Sequence, residues 1–257
     1  MHPILFQIGN WPVYTYGVMC ALGLSFGYFL MSRWAEREGV DEDDYLNLFI
    51  ILMFTSIGGA RLVFALTYPA YFQEDWTDIF RLWKGGLTIM GGGFLSLIGF
   101  VIYCKVYELK TGLILDLFFG AFPVGIFFGR IGCFCFGCCY GKPTELPWGV
   151  VFPKLRPAIA RHPTQLYACL AMVIIFLVIL WYRKHPHVDG MVTVVFLYLY
   201  CIYRIPIESL RGDVVKEDVW GLSNSQAWCM IVLLGSFLFH LYLRRFPPDR
   251  PLEKKER

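Results

Sequence analysis

The stretch LILDLFFGAFPVGIFFGRIGCFCFGCCYG, residues 113–141, decides the fold and poses the functional question. Its first part, 113–128, is apolar enough for a membrane crossing, although a full crossing takes roughly 20 mostly apolar residues. The second part, 129–141, carries Arg130 and four cysteines, Cys133, Cys135, Cys138 and Cys139. It is apolar yet glycine-rich, which suits a re-entrant segment lining a cavity. The rest of the chain has the same character. Of its 257 residues, 57% are hydrophobic and 17% charged, against about 25% charged in a soluble domain. Mean hydropathy is +0.53. This composition excludes a water-soluble globular protein. The net charge of +3 is too small for a nucleic-acid-binding surface.

Working outward, seven spans are expected, at about 14–31, 45–66, 87–107, 113–128, 164–182, 190–207 and 226–243. The third opens with GGLTIMGGG, read as a broken or closely packed start, because glycine lets backbones approach. The expected fold is an all-α polytopic membrane protein with irregular segments around an outward-facing lipid cavity. Residues 1–245 read as one transmembrane domain and 246–257 as a polar tail. MHPILFQIGNWPVY has no basic segment and no small-residue cleavage site, so the first span is expected to remain in the protein. The C-terminal RRFPPDRPLEKKER holds six Lys/Arg and is expected on the cytoplasmic side. Seven spans then place the N-terminus outside, with the loops at 67–86, 129–163 and 208–225.

Ionisable residues at membrane depth cost at least about 2.5 kcal/mol and persist where a cavity, partner or ligand holds them. Arg61, Asp116, Arg130, Arg204 and Glu208 fall within or at the ends of spans, with Arg211 and Asp213 just beyond. Arg204 and Glu208 are four apart, on one helix face, so an internal ion pair is one reading. Acidic partners are too few to pair Arg61, Arg130, Arg204 and Arg211 together. Guanidinium forks match phosphate oxygens, and the phosphate available in a bilayer is a phospholipid headgroup. An anion-binding cavity near one membrane face is expected.

The ordered motifs YGVM (16–19), GGARLVF (58–64), GGLTIMGGG (85–93), GRIG (129–132), RHPTQLY (161–167) and YRIPIESLRGD (203–213) span nearly the whole chain. In this order the chain resembles the prolipoprotein diacylglyceryl transferases of the bacterial inner membrane. The resemblance implies transfer of the diacylglyceryl group of phosphatidylglycerol to a lipobox cysteine thiol of a preprolipoprotein. A thioether forms and glycerol-1-phosphate leaves. The resemblance implies no metal and no soluble cofactor. It assigns Arg130 to the phosphate, Arg204 to the phosphate or leaving group, and Glu208 to orienting Arg204 or taking a proton. Tyr16 and Tyr200 would contact the headgroup, with an interfacial aromatic belt as the alternative. Gly141 closes the signature, and Arg61 and Arg211 would be further anion contacts.

The chain departs from the family pattern in three places. Met90 stands where the family has the histidine of H-G-G, the natural base near neutral pH. In the signature, roughly GRxGNFxNGExxG, Cys133 and Phe136 replace the asparagines and Cys138 the glutamate. Ala168 follows RHPTQLY where the family has glutamate. The same reaction with a rearranged base, the same lipid with a different acceptor, and lost activity all stay open. So do a membrane thiol oxidoreductase built on Cys133–Cys139 and an anionic-lipid binder without chemistry.

The cysteines carry four readings: packing, a redox pair at the C-x-x-C spacing Cys135–Cys138, Cys133 or Cys138 as a base or covalent lipid carrier, and a metal site. The metal reading lacks a second ligand pair, with His162 as a possible addition. Cys20, Cys104, Cys169, Cys201 and Cys229 read as packing residues on span faces.

Overall fold

The computed structural model describes residues 1–73, 75–82, 85–153, 155–212 and 223–246, without the side chains of Ile89 and Met90. Asp213, the side chain at the family's histidine position, and the tail beyond Phe246 therefore lie outside the described residues.

Among the described residues seven α-helices form: α1 (Thr15–Glu38), α2 (Glu42–Thr67), α3 (Ile89–Val106), α4 (Thr111–Phe136), α5 (Thr164–Arg183), α6 (Met191–Leu210) and α7 (Asn224–Arg245). All except α3 are long and apolar enough to cross a membrane, and Gly91–Val106 of α3 is a shorter apolar helix. Their outward faces carry large apolar side chains such as Phe54, Leu66, Leu170 and Ile202. Helical hydrogen bonding satisfies most backbone polar groups internally, as a lipid environment demands, with Pro123 in α4 and Pro206 in α6 each lacking an N–H. The protein is an all-α, multi-pass membrane protein.

Local signals set the helix ends. Asp41 caps α2, its side chain accepting from the Asp43 N–H at 3.0 Å, with Glu42, Asp43 and Asp44 in the first turn. Ser223 and Gln226 form a reciprocal capping box on α7. Two short antiparallel pairs accompany the helices. β1 (Ile4–Ile8) pairs with β2 (Trp11–Tyr14), and β3 (Val150–Val151) with β4 (Ala160–Arg161).

The chain divides into two compact units, Ser32–Ile114 and the remainder. In the first, α2 and α3 lie backbone to backbone. Gly59 of α2 faces Gly91 of α3, and a Cβ on Gly92 would stand 2.8 Å from the Ser56 carbonyl oxygen. Thus GGARLVF and GGLTIMGGG pack against one another, as small residues do between membrane helices. The α3 start is closely packed rather than broken.

Arg61 locks the same unit. Its Nε donates to the Ile79 carbonyl at 2.9 Å and Nη1 to that of Gly86 at 2.8 Å. Further bonds reach the carbonyls of Gly85, Asp78 and Arg81. The guanidinium also lies 4.9 Å from the Phe72 ring centre. The expectation of an anion contact at Arg61 is corrected: its five N–H donors are directed at main-chain carbonyls, so the buried charge tethers the loop.

In the second unit, Met172, Ile175 and Ile179 of α5 pack on Val192 and Phe196 of α6, with Phe119, Ile126 and Phe127 of α4 against them. Asp116 of α4 is 1% exposed. Its carboxylate accepts from the Gly190 N–H, the Thr193 N–H and the Thr193 hydroxyl, each at 2.8 Å. The acid at membrane depth is therefore a cap for the α6 N-terminus.

Candidate functional site

In the second unit the start of α1, the end of α4, the start of α5 and the end of α6 supply the candidate residues. The α4 helix continues to Phe136. The expectation of a re-entrant segment from Gly129 onward is thus corrected, and Arg130 and Cys133 sit on the last helical turns. Gly137, at φ 86°, ends the helix. Its N–H and that of Cys138 bond the Cys133 carbonyl at 2.9 and 3.2 Å, a glycine stop in the left-handed conformation.

The chain then runs as a short extended piece between two neighbours. On one side, Gly141 N–H bonds His162 O at 2.9 Å and His162 N–H bonds Lys142 O at 3.0 Å. On the other, Lys142 N–H bonds Leu210 O at 2.8 Å and Gly212 N–H bonds Tyr140 O at 3.1 Å. Three motifs distant in sequence, GRIG…G, RHPTQLY and YRIPIESLRGD, are joined here through main-chain bonds. A Cβ on Gly141 would stand 2.5 Å from His162 Cβ and 2.8 Å from its carbonyl oxygen. Gly141 is needed for this close approach. His162 stays in the loop, its Nδ1 3.2 Å from the Tyr167 hydroxyl, which accepts from Trp148 Nε1 at 2.8 Å.

Arg204 and Glu208 pair at 2.7 Å across one turn of α6, and Arg211 approaches the same carboxylate oxygen, Oε2, at 3.4 Å. Arg204 also donates to Ser225 Oγ at 3.2 Å. Glu208 Oε1 is buried and has no hydrogen-bond partner among the described residues. Arg130 has no carboxylate partner among them. Tyr203 lies within electrostatic reach of both Arg130 and Arg204, and Cys139 within that of Arg130 and Arg211. Arg204 and Arg211 therefore share one carboxylate, and Arg130 lies near them through Tyr203 and Cys139. Tyr200 stacks on Phe196 at 5.7 Å and meets Tyr203 edge-on at 6.2 Å. Tyr16 lies beside Cys20, Cys133 and Cys138, and packs on α4 where Gly132 leaves room.

The cysteines group differently from their spacing. The sulfurs of Cys133, Cys138 and Cys139 lie within 4.8 Å of one another, and Cys135 is not of the group. The redox reading at the Cys135–Cys138 spacing, one of the four, does not match this grouping: continuing the helix turns Cys135 about 200° from Cys133. All the cysteines are free thiols. Cys139, just past the helix, adopts φ 61°, rare for a side-chain-bearing residue. Thiol donation from Cys133 and Cys138 holds its pKa below the ordinary thiol value, and the charges of Arg130 and Arg211 add to this.

The peptide groups behind the cluster are clamped from α5. Gln165 Nε2 donates to Cys138 O at 2.6 Å, and the Thr164 hydroxyl donates to Cys139 O. Thr164, Gln165 and Tyr203 are members of the site that reading by motif passed over. Their signal was their place inside RHPTQLY and YRIPIESLRGD.

A family model described as prolipoprotein diacylglyceryl transferase matches residues 3–242. The chain belongs to the prolipoprotein diacylglyceryl transferase family. It is 32% identical to the phosphatidylglycerol–prolipoprotein diacylglyceryl transferase of Clostridium tetani, with 94% of this chain and 98% of the relative covered. The enzymes of the same name from Desulfotalea psychrophila and Bordetella parapertussis are each 32% identical. They cover 90% and 96% of this chain and 91% and 97% of their own lengths. Two of the arginine-bearing motifs, GRIG and YRIPIESLRGD, come together here with RHPTQLY.

Proposed function

We propose that the protein transfers the diacylglyceryl group of phosphatidylglycerol to the lipobox cysteine thiol of a preprolipoprotein. The observation that carries this reading is Arg130, which has no carboxylate partner among the described residues, set near the Arg204–Glu208 pair among apolar helices of membrane-crossing length. A phosphodiester is the anion that membrane supplies. Family membership and the names of the relatives support the same substrates.

Arg130, with no carboxylate partner among the described residues, takes a phosphate oxygen. Arg204 and Arg211, held by Glu208, stabilise the second negative charge that develops as the phosphate monoester leaves. Glu208 keeps Oε1 for a donor from the substrate, either a headgroup hydroxyl or the acceptor thiol proton. Tyr16 and Tyr200 flank the headgroup. Gly141 acts through the main-chain junction. The acceptor sulfur attacks the glycerol carbon bearing phosphate, a C–S bond forms, and the C–O electron pair leaves on glycerol-1-phosphate. An enzyme cysteine does not serve as covalent carrier, because the resulting thioether sulfur is a poor leaving group. The site opens on the outer face of the bacterial inner membrane, with the N-terminus outside and the C-terminus in the cytoplasm.

The test is a mass assay with purified protein, phosphatidylglycerol and a lipobox peptide. The expected product is peptide carrying a diacylglyceryl thioether. Arg130→Ala should lower turnover by about 100- to 1000-fold, the typical effect of losing one transition-state donor, with an unchanged thermal melt. Arg204→Lys should retain more activity than Arg204→Ala, which leaves Glu208 under-compensated. Full transfer by both alanine variants would overturn the assignment.

A further inference from the structure

We propose that Cys133, Cys138 and Cys139 form a site for one zinc ion whose fourth position takes the acceptor thiol. The first half of this inference stands on the cluster alone; the second rests on the transferase reading.

The three sulfurs lie within 4.8 Å of one another. Zinc–thiolate bonds of about 2.3 Å in a tetrahedron place sulfurs about 3.8 Å apart. Closing the cluster takes about 1 Å at most, within the reach of small rotations about the Cα–Cβ bonds. The main chain that carries the ligands is already held. Cys133 O accepts from the N–H groups of Gly137 and Cys138, while Gln165 and Thr164 hold the Cys138 and Cys139 carbonyls. All three residues are partly exposed, so an ion can enter.

Soft thiolate sets select zinc or copper(I) over the hard cations. Three protein ligands with one open position form the catalytic type of zinc site. Three thiolates and a zinc ion carry one net negative charge, which Arg130 and Arg211 beside Cys139 offset.

The open position solves a chemical need. Sulfur alkylation requires a thiolate, and Met90 cannot act as a base. A thiol that coordinates zinc loses its proton to water near neutral pH. Its sulfur pair then forms the C–S bond, and the C–O pair departs on the phosphate, which the arginines receive. The product thioether is a neutral, weak ligand and leaves. Zinc keeps its oxidation state, and no further reactant is needed.

The experiment uses the full chain in detergent, reduced, stripped with a chelator and reloaded with one equivalent of zinc or cadmium. Metal analysis should find one ion per chain. Cadmium should give the ultraviolet sulfur-to-metal band, and zinc-edge X-ray absorption a shell of three protein sulfurs near 2.3 Å. Adding lipobox peptide should bring a fourth sulfur, and peptide with alanine for its cysteine should not. Cys133→Ser, Cys138→Ser and Cys139→Ser should each weaken metal binding at least tenfold, while Cys135→Ser should bind as the parent does. Thermal melts of all four check folding.

The inference is overturned by a stripped chain that holds no ion at micromolar zinc, by an ion retained in the triple serine variant, or by a disulfide within the cluster of the isolated protein. It is also overturned if the metal-free chain transfers lipid as fast as the loaded one, an outcome that leaves the transferase reading standing. Zinc and peptide bound as expected, with no thioether product in any state, would uphold the site and overturn the transferase reading.

Discussion

Arg61, Arg130 and Arg204 are three arginines at membrane depth with three different fates. Arg61 gives its donors to carbonyls, Arg204 is shared between Glu208 and Ser225, and Arg130 has no carboxylate among the described residues. The sequence marks all three as anomalous, because a charge in an apolar run is costly wherever it points. Which of them faces a ligand depends on residues far along the chain. Gly141 shows the same division. Its place at the end of the signature was legible, but its purpose lies in the approach of His162. Gly141→Ala should lower stability by about 1–3 kcal/mol through overpacking and disturb the junction beside the cysteines. Gly27→Ala, where a Cβ meets nothing within 4 Å, should leave the thermal melt within error. Equal melts for the two variants would contradict the role given to Gly141.

At the scale of elements, the helices were largely readable and their ends less so. The expected fourth span stopped at 128, whereas α4 runs to Phe136. The glycines of this apolar stretch read as a re-entrant segment, yet the stop signal is the single left-handed Gly137. Eight added residues turn Cys135 away and bring Cys133 over Cys138 and Cys139. The loop between α2 and α3 offers a separate test. Arg61→Ala would take the guanidinium donors away from the partly buried carbonyls of Asp78, Ile79, Arg81 and Gly86, at up to about 1–3 kcal/mol for any group that water does not reach. Its melt should fall sharply, with lipid affinity unchanged in the folded fraction. An unchanged melt with tenfold weaker lipid binding would restore Arg61 as an anion contact. In the same loop the Asp75 carboxyl is held below its usual pKa, first by the Thr77 hydroxyl, then by the Thr77 N–H and the Arg81 charge. A depressed carboxylate contributes stability above its unfolded value of about 3.9. That contribution is lost as pH falls through the lower folded value. Protection of the Thr77 amide, corrected for intrinsic exchange, should therefore hold from pH 7 to about 4 and decline below. A decline centred near pH 6 would point to another group.

At the scale of the whole molecule, topology is the property to measure. A periplasmic reporter fused near the N-terminus and a cytoplasmic reporter fused after Phe246 should both be active in a bacterial host. A membrane-impermeant thiol reagent applied from outside should label Cys139, which is partly exposed just past the end of α4. Labelling only from the cytoplasmic side would invert the orientation. The sequence by itself determined the membrane character, the seven helices and the family motifs, because hydrophobicity over about 20 residues and short-range capping are local quantities. Only the tertiary structure decided which arginine is occupied by backbone, that Glu208 serves two arginines, and that three cysteines meet while a fourth turns away. These depend on helix phase and on main-chain bonds between segments tens of residues apart, which no local pattern encodes.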